Sequence, residues 1–229
     1  MDGTTAVVTG ASRGIGEQVA RLFGTEGAHV VVCARTLDEV DAVAEAIRSE
    51  GGSATALRAD VRDEYDLERL AEAAASDDPV DIVVANAAVN HGPPGETPLH
   101  EESYSAFDDT LRTNVRGVFA TVQELAPHLA PDARVLVPSG SVAREGAAGM
   151  GAYAVSKAGA EALVRGFAAD LDATVAAVDP GLVDTDLSGG TGRDPADVAP
   201  MFRWAATEAG ETELNGEIVD LKAWKRATR

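Results

Sequence analysis

The sequence predicts an α/β fold: one doubly wound, seven-stranded parallel sheet flanked by helices. Three observations predict it. Short apolar runs alternate with longer amphipathic stretches along all 229 residues, as strand and helix do around a parallel sheet. Most of the apolar runs are continuous, which suits strands covered on both faces. No Pro-, Gly- and Ser-rich stretch divides the chain, so residues 1–229 are expected to form one domain.

In chain order, the apolar run 5–9 is the first strand, and 14–25, opening on glycines, is the first helix. The β-branched run 29–34 is followed by an amphipathic stretch at 37–49, and the run 54–59 by another at 64–75. Strand 81–85 then leads into a long helix at 101–129. Strands 134–139 and 174–178 bracket the helix 151–171, and the helix 195–207 precedes a last strand at 217–221. The cofactor half is expected at about 1–90 and the catalytic and substrate half at about 91–229.

Thirty-eight Asp and Glu stand against nineteen Lys and Arg, a net charge of −19. That balance argues against partners that need a basic surface, nucleic acid above all. Lysine is confined to Lys157, Lys222 and Lys225. An acidic, lysine-poor, aromatic-poor surface is the expected adaptation to a high-salt cytoplasm, where carboxylates hold hydration and salt screens their repulsion. Cys33 stands alone and the four histidines are not at ligand spacing, so neither a disulfide nor a metal site is expected. No apolar run is long enough to cross a bilayer and the N-terminus has no basic region, which predicts a cytoplasmic protein without membrane association.

Sites in such sheets open beyond the carboxyl ends of the strands. After the first strand comes Gly10, Ala11, Ser12, Arg13, Gly14, Ile15, Gly16. Gly10 permits a tight turn, while Gly14 and Gly16 let a pyrophosphate approach the amides at the positive end of a helix. The second strand ends on Cys33, Ala34, Arg35, with no carboxylate to hold a ribose 2′-hydroxyl. Arg35 and Arg13 therefore predict NADP(H) over NAD, through the 2′-phosphate. Asp60 is placed to accept from an adenine amino group and Val61 to touch the ring. Asn86, Ala87 and Ala88 close the fourth strand.

Tyr153 and Lys157 are four residues apart at the start of a helix, so phenol and ammonium share a face. A cation there, with the helix N-terminus, is expected to lower the phenol pKa and fit it for proton transfer. Ser139 and Ser141 end the preceding strand; one of them can donate to a substrate oxygen, Ser141 being favoured and Ser139 left open. Asn114, a mediocre helix former inside the long helix, is read either as a holder of water that links Lys157 to solvent or as an exposed surface residue.

Together these segments resemble the short-chain dehydrogenase/reductase family, a family of Rossmann folds, over almost the whole chain. The resemblance implies hydride transfer between nicotinamide C4 and a carbonyl or alcohol carbon. Asn114, Ser141, Tyr153 and Lys157 would form its catalytic tetrad, with Tyr153 as acid/base and Lys157 on the nicotinamide ribose. Pro180, Gly181, Leu182, Val183, Asp184, Thr185 match the segment after the sixth strand, where Val183 would meet the carboxamide and Thr185 the nicotinamide or phosphate. Arg13 and Arg35 match the basic positions of NADP-preferring members.

Four departures stand out. The fourth-strand motif reads Ala85, Asn86, Ala87, Ala88 in place of Asn-Asn-Ala-Gly, and Ser141 lies one residue nearer Tyr153 than the family spacing. The lid after Thr185 is short and glycine-rich, which predicts an open site. The last strand lacks the usual glycine pair, so the expected homotetramer, or a dimer, loses one familiar edge. The 3-oxoacyl reductases of acyl carrier protein or CoA thioesters are the nearest pattern; a small ketone, aldehyde or sugar reductase is the alternative. An acidic surface disfavours an acidic carrier unless a patch such as Arg112, Arg116 and Arg165 offsets it. A non-catalytic dinucleotide sensor is the alternative of another class; it would need the glycine loop and not the tyrosine.

Overall fold

The computed structural model describes residues 1–229. Seven parallel strands run β1 Thr5–Thr9, β2 His29–Ala34, β3 Ser53–Arg58, β4 Val80–Val84, β5 Leu129–Pro138, β6 Thr174–Asp179 and β7 Ile218–Asp220, in spatial order 3-2-1-4-5-6-7. Helices α1 Gly14–Thr25, α2 Leu37–Ser49 and α3 Glu64–Ala74 return the chain between the first four strands. The seven-stranded sheet expected from the sequence is present, with strand ends moved by a residue or two except at β5.

Alternate residues of each strand feed opposite faces. Ala6 and Val8 of β1 join one core with Phe23 of α1, Ile47 of α2 and Phe202 of α7 (Pro195–Thr207). Val7 joins the other with Leu67 and Leu70 of α3, Leu125 of α5 (Gly117–Leu125) and Val164 of α6 (Gly151–Asp170). Each large aliphatic side chain buried this way contributes about 1.5–3 kcal/mol of transfer free energy. The strand order reverses at β1, which lies between β2 and β4, so a crevice opens over the carboxyl ends of β1 and β4.

The predicted helix 101–129 is not one regular helix. It starts at Tyr104, where the Ser103 hydroxyl accepts from the Ala106 amide at 3.2 Å. α4 (Tyr104–Leu111) then passes into a π-helical turn, Arg112–Arg116, before α5, and a 3₁₀ turn containing Pro127 ends the run at His128. Leu129 is already in β5, paired with Val80. The carboxyl end differs as well. A short α8 (Glu211–Leu214) precedes β7, and Asp220 caps a new helix, α9 (Leu221–Ala227), by accepting from the Ala223 amide at 2.7 Å. The expected strand at 217–221 is thus cut to three residues.

Candidate active site

Along the carboxyl edge of the sheet runs a groove of about 800 Å³. Its floor at one end is the loop after β1. Gly10 and Gly14 hold positive φ, 64° and 62°. A Cβ on Gly10 would come within 2.7 Å of Ala87 Cα, so the loop can lie against the end of β4 only with glycine there. α1 begins without a capping side chain, which leaves its first-turn amides free of side-chain acceptors beside the groove.

Gly16 differs from its expected role. It is buried off the groove, and a Cβ there would meet Asn86 Nδ2 and the Gly10 carbonyl, each at 2.5 Å. Its smallness serves the packing of helix on strand, not the approach of a ligand. Asn86 is the matching part: its Nδ2 donates to the carbonyls of Thr9 and Gly10, both at 3.0 Å. Ser12, Arg13, Ile15, Ala87 and Ala88 line the groove with Gly10 and Gly14.

Arg35 follows β2, faces the groove and has no ion-pair partner, whereas Arg13 donates through Nε to Asp186 at 2.7 Å and lies 3.9 Å from Glu39. Asp60 and Val61 follow β3. Asp60 is already taken: the Arg62 backbone amide, Nε and Nη2 donate to its two oxygens at 2.7–3.1 Å. That fork holds the carboxyl below its ordinary pKa. The expected acceptor for an adenine amino group is thus already engaged by three donors from within the chain, and Arg62, which also donates to Asp109 at 2.6 Å, is a groove residue missed in the sequence. The signal was its place two residues beyond Asp60 at the end of a strand.

At the other end, Lys157 is buried with its Nζ donating to the Pro138 carbonyl at 2.9 Å and lying 5.5 Å from the centre of the Tyr153 ring. Burial pushes the Lys157 pKa down to about 8, with Glu161 opposing the fall. The Tyr153 phenol was expected to be acidified; burial instead pushes it up to about 12, because the phenolate loses its solvation. Ser139 donates its hydroxyl to the buried Glu161 at 2.6 Å, while the Ser141 hydroxyl has no partner within the chain and lines the groove.

Asn114 lies in the π turn behind the groove wall. Its Oδ1 accepts from the Val89 amide at 2.8 Å; its Nδ2 donates to the Val89 carbonyl at 2.9 Å and to Ser156 Oγ at 3.0 Å. Both amide hydrogens are committed, so the side chain ties the segment after β4 to α6, and the second lone pair of Oδ1 is what it has left for the expected water. Pro180, Gly181, Val183 and Thr185 border the groove beyond β6. The lid folds on itself: Thr185 and Ser188 form a capping box around a 3₁₀ turn, Asp186–Ser188, and Gly189, Gly190 and Gly192 all have positive φ.

This arrangement matches known proteins. Residues 4–196 match the short chain dehydrogenase family. The chain is 35% identical over 188 residues to a short-chain dehydrogenase/reductase, FrzI, of Cladobotryum, covering 80% of this chain and 71% of that protein. It is similar to the solved structure of a 7α-hydroxysteroid dehydrogenase complexed with NADH and 7-oxo glycochenodeoxycholic acid, with a TM-score of 0.87, 30% identity, and 97% and 94% of the two chains covered. It is also similar to a short chain dehydrogenase of Burkholderia cenocepacia in complex with NADP, with a TM-score of 0.85, 29% identity and 97% of each chain covered. A sheet reversed at β1, a glycine turn at an uncapped helix and a Tyr–Lys pair across the groove are thus accompanied by sequence identity over most of the length. The chain belongs to the short-chain dehydrogenase family of oxidoreductases, which act on CH–OH and C=O groups.

Proposed function

We infer that the protein is an NADP(H)-dependent reductase or dehydrogenase of a carbonyl/secondary-alcohol pair, with Tyr153 as the general acid and base. One observation carries this reading: Tyr153, Lys157 and the unpartnered Ser141 hydroxyl line the same groove as the glycine turn at the start of α1. A dinucleotide fits the residues present. The free amides of α1 suit a pyrophosphate, and Thr113, which borders the groove, has a buried hydroxyl without a partner.

Gly10, Ser12, Gly14 and Ile15 would hold the pyrophosphate end, Val61 and the Asn86–Ala88 segment the adenosine side, and Lys157, Pro180, Gly181, Val183 and Thr185 the nicotinamide side. When bound, the cofactor supplies a hydride at nicotinamide C4. Tyr153 gives its phenolic proton to the substrate oxygen in reduction and takes it back in oxidation. Ser141 donates a hydrogen bond to that same oxygen and holds the carbonyl in place. The Lys157 ammonium favours the phenolate that remains and is oriented by the Pro138 carbonyl. Asn114 acts as a positioning residue, fixing the Val89 segment and α6 with its two ends.

Preference for NADP(H) is supported by Arg35, a free cation at the tip of β2 where a carboxylate would select NAD. We further propose a cytoplasmic homo-oligomer, tetramer or dimer, adapted to high salt. A 3-oxoacyl thioester or a small ketone, aldehyde or sugar is the substrate class. The test is oxidation of NADPH and NADH against a panel of such carbonyls, with Tyr153→Phe as control. Turnover with NADPH that Tyr153→Phe abolishes is expected. Turnover that survives the substitution removes this mechanism, and cofactor binding without turnover on any carbonyl favours the sensor.

A further inference from the structure

Behind the groove, two carboxylates that take no direct part in the proposed chemistry are buried, with a half-buried arginine across them. Glu161 is 4% exposed and Asp179 5%, and Arg144 bridges them, Nη1 to Glu161 Oε1 and Nη2 to Asp179 Oδ2. Ser139 adds its hydroxyl to Glu161 at 2.6 Å, and Asp179 accepts the Gly181 amide at 3.0 Å. Taking two carboxylates out of water is costly, and apolar packing of equal volume often serves stability as well or better. Such a cluster calls for another reason.

Its members come from the three elements that carry the reactive end of the site. Arg144 follows the turn Ser141–Ala143, and its amide and that of Glu145 both donate to the Ser141 carbonyl at 2.9 Å. Glu161 lies one helical turn beyond Lys157 on α6. Asp179 ends β6 and immediately precedes the segment that begins at Pro180. One guanidinium thus joins the turn bearing Ser141, the helix bearing Tyr153 and Lys157, and the segment along the nicotinamide side.

We propose that Arg144 is a positioning residue: with Ser139, Glu161 and Asp179 it forms an ionic cross-brace that sets the Ser141 turn, α6 and the Pro180–Thr185 segment relative to one another. Its purpose rests on the oxidoreductase reading above; the brace itself is a property of the fold. Arginine suits the task where lysine does not, because two carboxylates on two elements require a rigid fork, and an ammonium is a single point charge. Misplacement of reacting groups by about an ångström costs on the order of 10²-fold in rate, so the brace acts on kcat.

The experiment compares the wild type, Arg144→Lys, and the triple variant Arg144→Met/Glu161→Gln/Asp179→Asn, which removes the three charges of the cluster together and so keeps the proposal testable if Arg144→Lys does not fold. kcat is read at about pH 6, well below the Lys157 pKa, so that losing Glu161 does not discharge Lys157. Amide hydrogen exchange at residues 139–145 and 181–185 and steady-state reduction by NADPH are measured for each. In both variants, exchange at the two segments is expected to accelerate together, by about tenfold or more, with a cooperative thermal transition retained. kcat is expected to fall about 10–100-fold while the carbonyl KM moves less than about threefold. Unchanged exchange, acceleration confined to one segment, or a kcat within about twofold of wild type overturns the brace. A wild type that reduces no carbonyl defeats the oxidoreductase reading alone, since exchange still decides whether the segments are coupled.

Discussion

Lys157 holds its Nζ 5.5 Å from the centre of the Tyr153 ring while donating to the Pro138 carbonyl, so ammonium and phenol meet in a partly dry site before any ligand arrives. With the phenol pushed up to about 12, Tyr153 is fully protonated through the neutral range and ready to act as an acid. Carbonyl reduction is therefore expected to be nearly independent of pH between about 5.5 and 7, below the Lys157 pKa of about 8, whereas alcohol oxidation, which needs phenolate, rises up to tenfold per pH unit over that range and less steeply as Lys157 loses its charge. Parallel pH profiles of kcat/KM in both directions check this; an oxidation rate flat in pH would contradict it.

The same lysine couples stability to pH. Its pKa is about 8 in the folded protein against 10.5 ordinarily. Below both values it is charged whether folded or not. Between them the unfolded chain holds a proton that the folded chain lacks, so stability rises as pH climbs through that window and is level above it. The advantage of wild type over Lys157→Met is expected to grow by up to about 3 kcal/mol across the window, read from urea unfolding at its two ends. A difference that shrinks with pH has the wrong sign for a buried lysine.

Ser139 and Ser141 separate by experiment. Ser141→Ala removes a free hydroxyl at the groove and is expected to lower kcat about 100-fold or more with little change in Tm. Ser139→Ala takes a donor from buried Glu161 and is expected to cost about 1–3 kcal/mol of stability. Equal kcat losses without any stability difference would mean that the two hydroxyls have been assigned wrongly.

Arg35 and Arg13 are expected to contribute unequally to NADPH. Arg35 is unpaired, and Arg35→Ser is expected to raise the KM for NADPH about 10–100-fold while leaving NADH unchanged. Arg13 is held by Asp186 at 2.7 Å, so Asp186→Asn releases it and is expected to tighten NADPH severalfold. Saturation curves for both cofactors decide; equal responses of NADH and NADPH to Arg35→Ser would remove the 2′-phosphate from the account.

With a net charge of −19, self-repulsion is expected to weaken the fold in dilute buffer. Raising KCl from about 0.1 to 2 M is expected to lift Tm by on the order of 10 °C. A Tm indifferent to salt would leave the composition without that explanation.

The seven-stranded sheet and most helix boundaries were legible because apolar period and glycine position report local geometry. The placement of the glycine loop, of Tyr153 and Lys157 and of the segment from Pro180 along the groove was legible for the same reason: each is a short stretch whose geometry follows from residues adjacent in sequence or one helical turn apart. The π turn at Arg112–Arg116 was not, since nothing local distinguishes it from a helix; Asn114 reaches across to Val89 and Ser156 there. The C-terminal helix escaped notice because Asp220 reads equally well as the end of a strand or as a cap.

By itself the sequence determined the doubly wound sheet, the crevice at its reversal and the residues gathered there. Only the tertiary structure decided which of them are free. It committed Asp60 to Arg62, Ser139 to Glu161 and Gly16 to packing against Asn86, and left Ser141 and Arg35 unpartnered. The reason is that a side chain's availability depends on partners distant in sequence, and burial, which reversed the expected shift of Tyr153, is a property of the assembled fold.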